Sequence, residues 1–261
     1  MKFGTWRYAV ASVIGTSHEK TGQPCQDASN CRIIQTKDQD PVLVAVVSDG
    51  AGSAKYSDIG AKLACELFLN EMDIFFECEK LPEELDEDFV KAWIKYFQDE
   101  VARRAEIQNV RSREYACTFL AAVVGLNWAT FIQIGDGAIV ISSSEEPEQY
   151  NWVFWPNKGE FENTTFFITE ENAIEKINID SMGHSIDKVS IFTDGLQALT
   201  LHYQSKTAFQ PFFRPIFASL DDDISIKLDN INSNLAIFLD SPSVNARTDD
   251  DKTLLIASRR I

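Results

Sequence analysis

An α+β fold is predicted by three observations on the amino-acid sequence. Strand-like, β-branched runs recur along the chain, two helical stretches are inserted side by side among them, and the order lacks the regular alternation of a βαβ protein. With 261 residues, 44% of them hydrophobic, the chain has ample material for a packed core. Residues 1–261 are expected to form one domain.

The first strands are expected over Tyr8 to Ile14, Ala28 to Gln35 and Val42 to Val47. Two helices follow. In the first, Ile59, Leu63 and Leu67 recur at i+4 beside Ala64 and Phe68, with Ser57-Asp58 as a start signal; in the second, Phe89, Trp93, Phe97 and Val101 form a stripe that Ile94 and Ala105 widen. Each should lay one face on a sheet. Further strands are expected over Cys117 to Val124, Thr130 to Ile141, Thr165 to Thr169, Lys188 to Thr193 and Thr253 to Ala257. Ser142 to Gln149, carrying Glu145-Glu146-Pro147-Glu148, is expected to be a surface loop. Asp222 to Leu239 carries a helical pattern through Ile224, Leu228, Ile231 and Leu235. Trp152 and Trp155, flanking Phe154, suggest a packed strand face, and Phe212-Phe213-Arg214 suggests core.

Twenty-four basic against 40 acidic residues give a formal charge of −16, which repels nucleic acid and anionic membrane surfaces. Neither is expected as a partner. Acidic runs such as Glu83 to Asp88 and Asp221 to Asp223 are expected to be solvated surface. The five cysteines are scattered, with no Cys-x-x-Cys pair, which fits reduced thiols in a cytosol. No run approaches the ~20 apolar residues of a membrane span, and the short run after Arg7 lacks a convincing cleavage site. A cytoplasmic location is expected.

Four aspartates sit at ends or corners of strand-like runs: Val46-Val47-Ser48-Asp49-Gly50, Gly135-Asp136-Gly137, Ile191-Phe192-Thr193-Asp194-Gly195 and Asp250-Asp251-Lys252-Thr253. Brought together, such carboxylates suit Mg²⁺ or Mn²⁺, which prefer oxygen ligands, and the chemistry expected is metal-assisted attack by water. Asp-Gly is also the commonest hairpin signal, and that turn chemistry suffices for Asp136-Gly137. It does not account for Asp49-Gly50, which leads through Ala51-Gly52-Ser53-Ala54-Lys55 into a helix, or for Asp194-Gly195, followed by Leu196-Gln197-Ala198-Leu199. The Gly50-Ala51-Gly52 loop lacks the third glycine of a dinucleotide site, and Lys55 is not in a Walker arrangement.

Taken in order, these residues resemble the metal-dependent serine/threonine protein phosphatases of the 2C type, particularly their compact bacterial branch. Gln26-Asp27 resembles the early acidic motif of that family, Asp49-Gly50 its central Asp-Gly, Ala116-Cys117-Thr118 its Gly-x-Thr, Gly135-Asp136-Gly137 its Gly-Asp-Ser, Thr193-Asp194-Gly195-Leu196 its Ser-Asp-Gly-Leu, and Asp250-Asp251-Lys252-Thr253 its Asp-Asn-x-Thr. The resemblance implies a four-layer sandwich of two antiparallel β-sheets flanked by helix pairs. It further implies that Asp49 bridges two metal ions, that the Gly50 carbonyl binds the first, that Asp194 and Asp250 complete the second, that Asp27 holds a metal-bound water, and that Asp136 helps form a third, weaker site. Asp250 is preferred over Asp251 because it stands three residues before Thr253.

The function implied is hydrolysis of phosphoserine and phosphothreonine in proteins, the targets of serine/threonine kinases, by a metal-activated water. Three positions depart from the family pattern. Gly22 stands where an arginine usually grips the phosphate, leaving Lys20, His18 or Arg7 as stand-ins; Gln26 replaces an acidic residue; and Ala51 stands where the animal branch has a histidine. Two other readings stay open at this point: a catalytically weak phosphatase-like module that binds a phosphoprotein, and another two-metal phosphoesterase.

Overall fold

The computed structural model describes residues 5–38, 40–156, 165–222 and 228–260. In chain order its elements are β1 (Thr5–Val13), α1 (Thr16–Thr21), β2 (Ala28–Gln35), β3 (Pro41–Ser48), α2 (Ser57–Glu77), α3 (Glu87–Gln108), β4 (Phe119–Val124), β5 (Ala129–Ile134), β6 (Ala138–Ser143) and β7 (Asn151–Trp152). There follow α4 (Ala173–Lys176), β8 (Asn178–Met182), β9 (Ile186–Phe192), α5 (Gln197–Thr200), β10 (Leu201–His202), β11 (Thr207–Ala208), α6 (Gln210–Asp222), α7 (Leu228–Leu239), α8 (Pro242–Asn245) and β12 (Lys252–Arg260). Ten of the strands form two five-stranded antiparallel sheets, ordered β1-β12-β9-β6-β7 and β2-β3-β4-β5-β8, and β10 pairs with β11.

Side chains of a strand alternate between its two faces, and here both faces of the central strands are buried. On β3, Val42, Val44 and Val46 pack with Phe68, Trp93 and Phe97 of α2 and α3, while Leu43, Ala45 and Val47 turn inward to meet Val189, Ile191, Leu255 and Ala257 of the other sheet. This explains why the strands are apolar throughout. On the far side Val140, Phe192, Leu254 and Ile256 pack against Phe213, Phe217, Leu235 and Leu239 of α6 and α7. The layers are therefore helix pair, sheet, sheet, helix pair, the four-layer α+β sandwich expected.

The two helices expected after β3 form where their stripes placed them. The Asp86 carboxylate caps α3 by accepting the Phe89 N–H at 2.9 Å, and Asn109, in the left-handed region at φ 52°, ends it. Other segments differ from expectation. Thr165 to Thr169 is irregular: the Ile168 N–H donates to the Cys117 carbonyl at 2.9 Å and the Phe167 carbonyl accepts the Glu170 N–H at 3.1 Å, while β8 takes the edge position instead. The late helical region is two helices, of which α6 is hidden in the sequence by Pro211 and by Pro215 inside it. Ile224 lies outside the described residues, as does Asp223. The Trp152 face is not a packed strand: β7 has two residues, Trp152 is 36% exposed, and its ring meets Trp155 edge-on at 5.6 Å.

The largest correction concerns Thr130 to Ile141. The hairpin reading of Gly135-Asp136-Gly137 fails, because β5 pairs with β4 and β8 whereas β6 pairs with β9 and β7, in the opposite sheet. Gly135 sits at φ 112°, and a Cβ there would lie 2.5 Å from that of Thr118, so only glycine lets the chain cross the sandwich here. The corner is a passage between sheets.

Trp93 meets Phe68 at 5.0 Å and Phe119 at 4.4 Å between ring centroids, so Trp93→Ala should cost about 3–5 kcal/mol in a urea unfolding titration. Ile107→Ala, at a residue 81% exposed, should stay within about 0.5 kcal/mol of the unsubstituted chain in the same measurement.

Candidate active site

The strand registers bring the predicted aspartates to one end of the sandwich. Ala28 pairs with Ser48, which makes Asp27 and Asp49 the next residues at the same edge of their sheet; Phe192 pairs with both Ala138 and Leu254, which sets Asp136, Asp194 and Asp250 just beyond the corresponding edge of the other. The oxygens of Asp49, Asp136 and Asp194 converge within 4.8 Å of one another. Asp250, exposed along part of its surface, lies outside that group, but its charge is felt by both Asp49 and Asp194.

Main-chain and hydroxyl contacts hold the ends in place. The Asp49 N–H donates to Thr118 Oγ1 at 2.9 Å, and the Thr118 N–H donates back to the Asp49 carbonyl at 2.8 Å. A Cβ at Gly50 would lie 2.6 Å from the Gln26 carbonyl oxygen and 2.8 Å from that of Ser57, so this loop closes only around a glycine. Thr165 Oγ1 donates to Asp136 Oδ2 at 2.7 Å, and Thr193 Oγ1 to Asp27 Oδ2 at 2.8 Å.

The electrostatics are those of crowded like charges. Burial, then the charges of Asp27, Asp194, Asp136 and Asp250, holds the Asp49 carboxyl well above the usual carboxylate range. Asp194 is pushed up to about 7 by burial and then by Asp136 and Asp250. Asp27 is pushed up to about 8 by burial, against the opposing hydroxyl contacts of Thr253 and Thr193. Asp250 is raised too, by burial first. Such a group of oxygens fits a divalent cation, which replaces mutual repulsion by attraction.

Asp251 has a different task from Asp250. Buried at 3% exposure, its Oδ1 accepts the Gly15 N–H at 2.6 Å and its Oδ2 the Gln26 N–H at 2.6 Å. His18 Nδ1 lies 3.0 Å from the same Oδ2, so one ring nitrogen of that predicted substrate contact faces a structural carboxylate. Lys20 is exposed on α1. The hydroxyls of Thr165 and Thr193, and Gln197 and Tyr203 behind the corner, were not singled out by sequence reasoning. The threonines' neighbours carried a signal, whereas Gln197 and Tyr203 carried none.

The raised carboxylates fix a pH dependence for the metal-free chain. Their folded-state values lie above the ~3.9 of an unfolded aspartate, so the stability they contribute is complete below that value and is lost as pH rises through about 7 to 8. Melting in a chelator should accordingly fall from pH 5 to pH 9, with added Mn²⁺ reversing the loss at the alkaline end. Asp194→Asn should melt higher than the unsubstituted chain in chelator at pH 8 and gain less from Mn²⁺.

Comparison with known proteins adds an independent line. A sequence model of the family described as Protein phosphatase 2C matches residues 14–240. The chain is 36% identical to Serine/threonine-protein phosphatase 3 of Escherichia coli (strain K12) over 255 residues, 97% of this chain and 98% of that protein. Its fold is similar to that of the serine/threonine phosphatase Stp1 from Staphylococcus aureus, with a TM-score of 0.60 at 16% identity, covering 99% of this chain and 97% of that one. It is similar also to the catalytic domain of the serine threonine protein phosphatase PstP in complex with two manganese ions, with a TM-score of 0.61 at 13% identity, covering 98% and 99% of the two chains. Sequence kinship along nearly the whole length thus joins the shared fold and the converging aspartates, and the chain belongs to the protein phosphatase 2C family.

Proposed function

We propose that Asp49, Asp194 and Asp250, with the Gly50 carbonyl, hold two Mg²⁺ or Mn²⁺ ions, that Asp136 helps hold a third, and that the centre hydrolyses phosphoserine and phosphothreonine in cytoplasmic phosphoproteins made by a serine/threonine kinase. Metal-dependent dephosphorylation of serine and threonine is the activity of the family. The convergence of three carboxylates within 4.8 Å, from three separate chain segments, carries the reading. Bound cations would supply positive charge that acidifies a water and stabilises charge on the phosphoryl oxygens.

The chain's own residues supply orientation. Asp27, fixed by the Thr193 hydroxyl, is positioned to accept a hydrogen bond from the attacking water. Gln26 is 5% exposed and its Oε1 lacks a protein partner among the described residues, so it offers a second acceptor where the family usually has an acid. Lys20 is the phosphate contact we favour, being exposed, whereas the His18 ring stands against Asp251, Nδ1 lying 3.0 Å from Oδ2. With Ala51 in place of a histidine, a solvent water protonates the leaving serine oxygen.

Asp49→Asn should lower phosphopeptide turnover by more than about 100-fold, beyond the range typical of losing an outer partner of a metal ligand, and should abolish calorimetric Mn²⁺ binding. Wild-type-like binding would remove the site. Asp136→Asn, which retains the backbone preferences of the corner, should stay folded and, like Asp194→Asn, lose none of its melting temperature in chelator, while raising the Mn²⁺ concentration needed for half-maximal turnover. Turnover of a phosphopeptide by the unsubstituted chain only when Mn²⁺ or Mg²⁺ is present separates the enzyme from a phosphoprotein-binding module.

A further inference from the structure

Gln197 is a polar side chain with only 6% of its surface exposed, and the reaction above does not use it. Both ends of its amide are occupied: Nε2 donates to the main-chain oxygen of Asp136, and Oε1 accepts from the Tyr203 hydroxyl. A buried amide is costly unless it is satisfied, so its placement answers a need in its surroundings. That need lies at the corner between β5 and β6, where the chain leaves one ladder before joining the other. Gln133 Nε2 takes the Gly137 carbonyl there at 3.0 Å, and Gln197 takes that of Asp136.

Gln197 also stands three residues after Asp194, at the start of α5. Its amide therefore ties the chain segment carrying one carboxylate to the main chain carrying another, across a gap where the two charges repel. We propose that Gln197 and Tyr203 are positioning residues of the metal centre, Gln197 locking Asp136 beside Asp194 and Tyr203 fixing which end of the amide faces the corner. This rests on the metal reading of the preceding subsection.

The two ends of a glutamine amide have nearly the same shape, and only their partners decide which is which. A phenol that donates to Oε1 leaves Nε2 for the Asp136 carbonyl; an amide turned the other way would set two acceptors against each other. Tyr203 is 44% exposed, and an ordinary phenol, with a pKa of about 10, keeps its proton and remains a donor through neutral pH. The Tyr203 ring meets Trp155 edge-on at 5.4 Å, and Trp155 meets Trp152 at 5.6 Å, so an aromatic cluster supports the hydroxyl.

Calorimetric Mn²⁺ titration, with melting measured in parallel, tests the proposal on the full chain, Gln197→Ala, Tyr203→Phe and the double variant. Gln197→Ala should weaken the weakest Mn²⁺-binding step by about tenfold or more, within the roughly 10–100-fold range for losing an outer partner of a metal ligand, and leave the tighter steps in place. Tyr203→Phe should weaken the same step less, and the double variant should match Gln197→Ala because the phenol acts through the amide. Phosphopeptide turnover should recover at excess Mn²⁺, placing the defect in metal demand rather than in kcat. A folded Gln197→Ala with the wild-type isotherm overturns the proposal, even if it melts lower; should that variant not fold, a wild-type isotherm for Tyr203→Phe overturns it. Absence of Mn²⁺ binding by the unsubstituted chain would remove the metal reading and this inference with it, an outcome distinct from equal binding by all variants.

Discussion

Mutual repulsion among buried aspartates is the constraint around which this structure is arranged. Asp49, Asp136 and Asp194 would separate if their segments were free to move, and partial burial limits the water that would screen them. The surrounding structure resists that separation at several points: the paired bonds between Asp49 and Thr118, the glycine-only closure at Gly50, and the Gln197 amide across the gap. Each offsets part of that repulsion in the metal-free fold, and each holds the carboxylates where the proposed cations would sit. The acidic end of the sandwich is thus held ready by neutral groups.

The sandwich is what makes such preparation affordable in free energy. Strands buried on both faces are fixed in register by packing, since a one-residue slip would exchange the helix-facing valines of β3 for the inward set. Residues at strand ends inherit that precision. Asp27 and Asp49 take their relative position from the Ala28 to Ser48 pairing, and Asp194 and Asp250 take theirs from the Phe192 to Leu254 pairing.

Much of this was legible in the sequence, because the apolar runs and the two i+4 stripes report burial directly. The aspartate motifs were legible for the same reason, as charges interrupting strands where a solvated loop gives no cause for order. What stayed hidden was non-local. Nothing near Gly135-Asp136-Gly137 says that its flanking strands belong to different sheets, since a hairpin and a crossing share the same turn residues. Pro215 masked α6, whose helix is sustained by packing of Phe213 and Phe217 rather than by propensity. Gln197 and Tyr203 are ordinary residues in sequence, and only the fold gives their amide and phenol a partner. His18 was legible as a polar group near the site, but its pairing with Asp251 depends on a contact 233 positions away.

The corner at Asp136 has a mechanical consequence. Asp49 extends from one sheet, Asp194 and Asp250 from the other, and Asp136 rides on the segment that joins them. The cluster therefore gauges how the two sheets sit on each other. Leu43, Ile191 and Leu255 pack in the layer between them, so a change of side-chain volume there bears on how the two sets of carboxylates face each other. On the proposed metal reading, affinity for cations would then depend on the inner core as a whole, and a substitution deep between the sheets would reach the site from a distance.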